Sequence, residues 1–152
     1  MHKTLMSLLL FTPCLMAQGG GQCKSVGGSI LTNFLTQSST AGTATGDLRG
    51  ALGVNVLSTS QGSGGTTILH NHHFWVTEAG DTLTFANADA TLYPTPLGGF
   101  YAASYNDGIK LTGGTGRFAG ATGTLTAYGA ISLNNGQVVL RYGGTVCFKS
   151  QD

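Results

Sequence analysis

The chain has 152 residues but only seven Lys or Arg and six Asp or Glu, for a net charge of +1. No basic cluster exists that could neutralise a run of phosphates, and no amphipathic basic helix that could lie on a membrane, so nucleic-acid and membrane-surface partners are excluded. Twenty-five glycines and three prolines, with Thr and Ser abundant, point to turns and strands instead of helices.

At the N-terminus, Met1-His2-Lys3 supplies a short positive segment and Thr4 to Met16 (TLMSLLLFTPCLM) an apolar one. That run is short for a bilayer span and ends at the small residue Ala17, the pattern of a secretory signal. The reading is therefore a signal over 1–17 and a single domain over 18–152, secreted to the periplasm or the cell exterior. Cys14 departs with the signal. Cys23 and Cys147 then remain, and in an oxidising compartment they most simply pair, against two free thiols or an intermolecular bridge. A bridge over so long a loop is worth roughly 4–5 kcal/mol on a chain-entropy model.

Along the mature chain, short β-branched and aromatic segments predict strands near Ser29–Thr36, Gly50–Ser58, Thr66–Val76, Asp81–Tyr93 (with a break), Phe100–Tyr105, Ile109–Thr112, Thr124–Leu133 and Gln137–Phe148. Thr36 to Gly46 (TQSSTAGTATG) reads as a surface loop. Asn106-Asp107-Gly108 and Asn134-Asn135-Gly136 suit hairpin turns that need positive φ. Ala79-Gly80-Asp81 and the Gln61–Gly65 run add two further turns, and Pro94 and Pro96 interrupt pairing. Seven or eight antiparallel strands joined by hairpins predict a closed barrel or a sandwich.

All three histidines of the mature chain lie in Leu69-His70-Asn71-His72-His73-Phe74-Trp75. On a strand, His70 and His72 share a face with Ile68, Phe74 and Val76, while His73 shares the other with Leu69, Asn71 and Trp75. Which face is interior is open at this level. The H-x-H spacing suits two ligands of a metal ion, but Glu78 and Asp81 sit at or beside a turn and no histidine beyond these three is available, so no metal is assigned. No serine occupies a nucleophile elbow, and no carboxylate pair stands out for hydrolysis. Arg141 and Tyr142 alternate on the last strand, so one of them points inward; an inward Arg141 needs a partner and would mark a binding site.

The glycine-rich stretch Gly113 to Gly123 (GGTGRFAGATG) invites comparison with phosphate loops. It lacks the dinucleotide-loop spacing and the Lys-Ser or Lys-Thr pair, and TLTAYGAIS after it alternates like a strand. An echo lies seventy residues earlier: Thr45–Gly53 and Thr115–Gly123 both read T-G-x-(L/F)-x-G-A-x-G. Either a half-barrel duplicated, or two segments answer one steric demand.

Gly113-Gly114-Thr115-Gly116-Arg117-Phe118, followed by Ala121 and Gly123, resembles the GGTG(K/R)F-x-x-A-x-G signature of dirigent proteins. With Gly120 it is also similar to the GGxGxFxGAxG stretch of allene oxide cyclases, and secreted bacterial proteins of unknown function carry the same pattern. The resemblance covers about the last third of the chain. It implies an all-β fold, a single antiparallel eight-stranded barrel of calycin-like shape, with Gly113, Gly114, Gly116, Phe118, Gly120 and Gly123 as a structural motif. Binding of a small, largely apolar molecule in the lumen or mouth is the first functional expectation, with His70, His72, Phe74, Tyr101 and Arg141 as candidate ligand contacts. A cyclase or isomerase that steers a reactive intermediate by confinement is the second, and a structural or protein-interacting barrel the third. No cofactor is called for, and the oligomeric state is open.

Overall fold

The computed structural model describes residues 21–150; the signal expected over 1–17, with Cys14, lies outside them. Ten strands form one antiparallel sheet: β1 (Cys23–Thr36), β2 (Ser39–Ala44), β3 (Gly50–Gln61), β4 (Thr67–Thr77), β5 (Thr82–Phe85), β6 (Ala88–Pro94), β7 (Phe100–Ser104), β8 (Ile109–Gly114), β9 (Thr122–Ser132) and β10 (Gln137–Cys147). Pairing runs β10-β1-β2-β3-β4-β5-β8-β9, and β9 pairs β10 again, closing an eight-stranded barrel with β6 and β7 as two extra strands outside that ring.

The two extra strands fill the other half of one wall. β4 pairs β5 through Trp75 and Val76 and pairs β6 through Thr67 to Asn71. β9 likewise pairs β8 through Gly123 to Leu125 and β7 through Tyr128 to Ser132. β5 with β6, and β7 with β8, thus continue each other as two broken strands, and the chain makes a simple up-and-down meander. The breaks fall at Ala86-Asn87 and Tyr105–Gly108, where the bonds Ala86 N–H to Lys110 O (2.9 Å) and Tyr105 N–H to Ala127 O (2.9 Å) keep the wall stitched.

Two sequence expectations are corrected here. Thr36–Gly46 is not all loop, since Ser39–Ala44 pairs β1 on one side and β3 on the other. Its Ser, Thr, Ala and Gly residues leave no strong apolar alternation, but Gly42 lies so close to Leu31 and Thr32 of β1 that a Cβ there would meet their backbone. Asn106-Asp107-Gly108 does not reverse the chain as a hairpin; it is the break between β7 and β8, with Gly108 at φ +76°. The turns at Gly80 (φ +86°) and Gly136 (φ +68°) do join hairpins, β4 to β5 and β9 to β10.

Because strands alternate in direction, the links β2–β3, β4–β5 and β8–β9 gather at one end, here termed the base, together with Cys23 and Cys147. These two cysteines are directly paired between β1 and β10 and form a disulfide across 124 residues of chain. The base is plugged. Leu48, from the β2–β3 link, and Phe118, from the β8–β9 link, are almost wholly buried in the core. These are equivalent positions of the T-G-x-(L/F) echo, so both copies deliver one large apolar side chain to the same end of the barrel. Gly46 (φ +89°) and Gly116 (φ +53°) supply the left-handed backbone just before each plug. At Gly116 a side chain would also collide with the Asp81 carboxylate, which accepts a hydrogen bond from Arg117 N–H at 3.4 Å.

Candidate functional site

Alternation along each strand sets what faces the lumen. On β9 the inward series is Leu125, Ala127 and Ile131; on β10 it is Val138, Leu140, Tyr142 and Val146, all buried. On β4 it is Asn71, His73 and Trp75, while Phe74 and Val76 are exposed on the outside. This resolves the histidine stretch: one histidine points in and two point out.

Residues from most of the strands enclose a cavity of about 70 Å³, against roughly 10–15 Å³ for a single water on the same measure. Its floor is Trp75 with Leu52, set on a rigid support at the base. Trp75 Nε1–H donates to Leu48 O at 2.8 Å, and Tyr142 packs edge-on against the indole with ring centroids 5.4 Å apart. The Tyr142 hydroxyl accepts from Leu48 N–H at 3.0 Å and donates to Thr45 O at 2.9 Å. Desolvation is the first cause that raises the Tyr142 pKa, so the phenol stays a neutral donor. Toward the opposite end the cavity is lined by Phe34, Thr40, Val54, Val56 and Leu69, which are only half-buried and form its mouth.

The lining holds no charged side chain. Its polar residues are Thr32 and Thr40 of β1 and β2 and a cluster of Asn71, His73 and Tyr105, the last turned inward by alternation with Tyr101 and Ala103 of β7. Asn71 Nδ2–H donates to the Tyr105 hydroxyl at 3.0 Å, and His73 Nε2 lies 3.0 Å from the same oxygen. The buried hydroxyl hydrogen finds an acceptor in His73 Nε2, the arrangement that pairs it, and this places the proton of the neutral ring on Nδ1. Burial, followed by the neighbouring His72, lowers the His73 pKa from 6.5 to about 4. Burial pushes Tyr105 up to about 12, partly opposed by the Asn71 hydrogen bond. The cluster is therefore uncharged at neutral pH. Two of its atoms, Asn71 Oδ1 and His73 Nδ1, are buried with no hydrogen-bond partner, a deficit of about 1–3 kcal/mol each.

The residues singled out from sequence lie elsewhere. His70 is on the outer face, where its Nδ1 meets Asp89 Oδ1 at 2.6 Å across the β4–β6 pair. His72 is also outward, bonded to Asn87 at 2.9 Å and edge-on to the exposed Phe74. Arg141 is exposed on β10, opposite Tyr128 of β9, and it is Tyr142 that points inward. Tyr101 packs half-buried against the core without lining the cavity. His70, His72, Phe74 and Arg141 are thus not lumen contacts: strand parity puts each on the solvent side. Asn71, His73 and Tyr105 were missed, although Asn71 and His73 share the face of Trp75. Among the described residues no group of three or more His, Cys, Asp or Glu is placed to hold a metal ion.

Fold and cavity together define a disulfide-closed, eight-stranded antiparallel barrel with a plugged base and a largely apolar, uncharged lumen whose polar residues are Thr32, Thr40 and the Asn71–Tyr105–His73 cluster. No family model, curated protein or solved structure matches the chain.

Proposed function

We propose that this is a secreted barrel that binds a small, largely apolar molecule in its lumen. The observation that carries the reading is the cavity itself: a base sealed by Leu48, Phe118 and Trp75, apolar walls, and half-buried residues at the opposite end. Pockets of this composition, apolar with a few convergent polar groups, are where small ligands bind, and eight-stranded barrels are wide enough to hold one. The Cys23–Cys147 disulfide suits an oxidising compartment, which supports secretion. The GGTGRFAGATG resemblance to dirigent proteins and allene oxide cyclases points to the same kind of container. Trp75, the single tryptophan, lines the cavity and reports on occupancy. Titration with a library of terpenoid, fatty and phenolic compounds should shift its emission and raise the melting temperature for at least one apolar class. A flat response in both across the library refutes the proposal.

A further inference from the structure

The two ends of the barrel differ in chemistry. The links at the base carry Asp47, Arg49, Glu78, Asp81 and Arg117, while their large apolar side chains, Leu48 and Phe118, are buried. The four links at the mouth, β1–β2, β3–β4, β6–β7 and β9–β10, carry no charged residue. At or beside them large apolar side chains stand in solvent instead: Leu35 (69% exposed), Leu97 (66%), Leu57 and Leu133 (54% each), with Phe100 among them. The fold fixes where they sit. Leu57 is the extra residue of a bulge in β3, next to Val56, whose N–H donates to Ser38 O of the β1–β2 link at 2.7 Å. The β6–β7 and β9–β10 links are tied together, Leu133 N–H donating to Gly99 O at 2.8 Å and Asn134 Nδ2–H to Gly98 O at 2.9 Å. The rim is also continuous with the lumen, because Phe34 lines both the cavity and a groove that it shares with Leu35 and Leu133.

We propose that the mouth end docks on an uncharged lipid bilayer, with Leu35, Leu57, Leu97, Phe100 and Leu133 seated at its surface and the lumen opening onto it. Exposed apolar side chains gathered at one end mark an interaction surface, and with no charge contributing, attachment follows the apolar area buried at the interface. The charge asymmetry sets the orientation, since the ionised groups of the base stay in water. Composition removes the cationic-helix route to a membrane; uncharged strand ends and turns take a different one. The choice of a bilayer over a second copy rests on the lumen-binding reading. Two barrels joined mouth to mouth would close each other's opening, whereas a bilayer holds apolar molecules and delivers them without passage through water.

Sedimentation with vesicles tests the proposal on the secreted protein, its signal removal confirmed by mass. Vesicles of pure phosphatidylcholine should carry it down, and added salt should change the bound fraction less than about twofold, since no cation takes part. Leu35→Asn, Leu97→Asn and Leu133→Asn should each weaken partition roughly tenfold, about the value of burying a leucine. Val76→Asn, equally exposed but at the base end of β4, should leave partition unchanged and serves as the control for an altered surface. No sedimentation with phosphatidylcholine, or sedimentation that the three mouth variants do not reduce, overturns the proposal. So does binding that requires added phosphatidylglycerol and disappears in salt. A dimer abolished by the same variants, with no vesicle binding, also overturns it and gives the face to a second copy. Lumen binding is read separately, from Trp75 emission on titration with cyclohexanol in the absence of vesicles. A protein that takes cyclohexanol but ignores vesicles loses the docking proposal alone; one that binds vesicles through the mouth leucines but takes no cyclohexanol keeps the docking face and loses the lumen reading.

Discussion

Acid should destabilise this barrel through His73, and the size of the effect follows from the structure. The unfolded chain takes up a proton at His73 near pH 6.5, whereas burial and the nearby His72 hold the folded residue neutral down to about pH 4. Between those values the unfolded state binds more protons, so stability falls as pH falls. Above 6.5 the contribution is fully present; by about 4 it is gone. At 1.36 kcal/mol per pKa unit, the whole interval is worth roughly 3 kcal/mol, most of it lost by pH 4.5. Urea unfolding of wild type and His73→Phe at pH 7 and pH 4.5 isolates the term. The phenylalanine packs beside Phe85, whose ring lies 6.1 Å from the imidazole, and strips Tyr105 of one partner. It also removes the unpaired Nδ1, which offsets that loss, so the variant should lie within about 1–2 kcal/mol of wild type at pH 7. Its loss on going to pH 4.5 should nonetheless be smaller than wild type's by about 2–3 kcal/mol, since the carboxylates titrate alike in both proteins. Parallel pH dependence in the two proteins would refute the inward, buried placement of His73.

Other perturbations test the frame around the cavity. Reducing the disulfide, or replacing Cys23 and Cys147 with alanine, releases a loop of 124 residues and should cost up to about 5 kcal/mol in urea unfolding, somewhat less if β1–β10 pairing persists in the unfolded chain. Phe118→Ala removes a fully buried plug that packs on Phe148 with ring centroids 5.7 Å apart, and calorimetry should register a loss of about 3–5 kcal/mol. Gly42→Ala forces a Cβ into the backbone of Leu31 and Thr32, so it should cost more than the few tenths expected for an exposed strand site and loosen hydrogen-exchange protection along β1 and β2. His70→Ala, in contrast, touches only the outer-face pair with Asp89 and should change stability by under about 1 kcal/mol without altering lumen binding.

Much of the barrel is legible in the sequence because its long strands alternate cleanly. The Leu125–Ile131 and Val138–Val146 series put every second side chain inside, and both can be read directly. The expectation of eight strands is met by the barrel, though by offsetting steps: β2 has the sequence of a loop, and the broken strand made of β7 and β8 reads as two. Both follow from local chemistry. Ser39–Ala44 is made of small residues that hold a strand by backbone pairing and close approach instead of apolar burial, and Asn106-Asp107-Gly108 carries turn chemistry that the fold spends on a break within a strand. The echo was legible as a pattern but not as a role, because the shared demand is at the base, where Leu48 and Phe118 arrive from links far apart in sequence. The candidate site was the least legible part. Periodicity places His70 and His72 opposite His73 but carries no sign for which side is wet; the sign comes from Trp75, whose indole is bonded to Leu48 at the base. Tyr105 follows from alternation in the Phe100–Tyr105 strand, which puts it on the inward face with Tyr101 and Ala103.

The central claim is that a small apolar molecule occupies the lumen, and methyl-resolved NMR tests it most directly. With cyclohexanol added, the methyls of Ile30, Leu52, Ile109, Ile131 and Leu140, all lining the cavity, should shift in a saturable way. Those of Leu31, Val76 and Val139, exposed on the outer face, should stay still. Saturable shifts confined to the outer-face methyls, with the lumen set unmoved, would contradict the account.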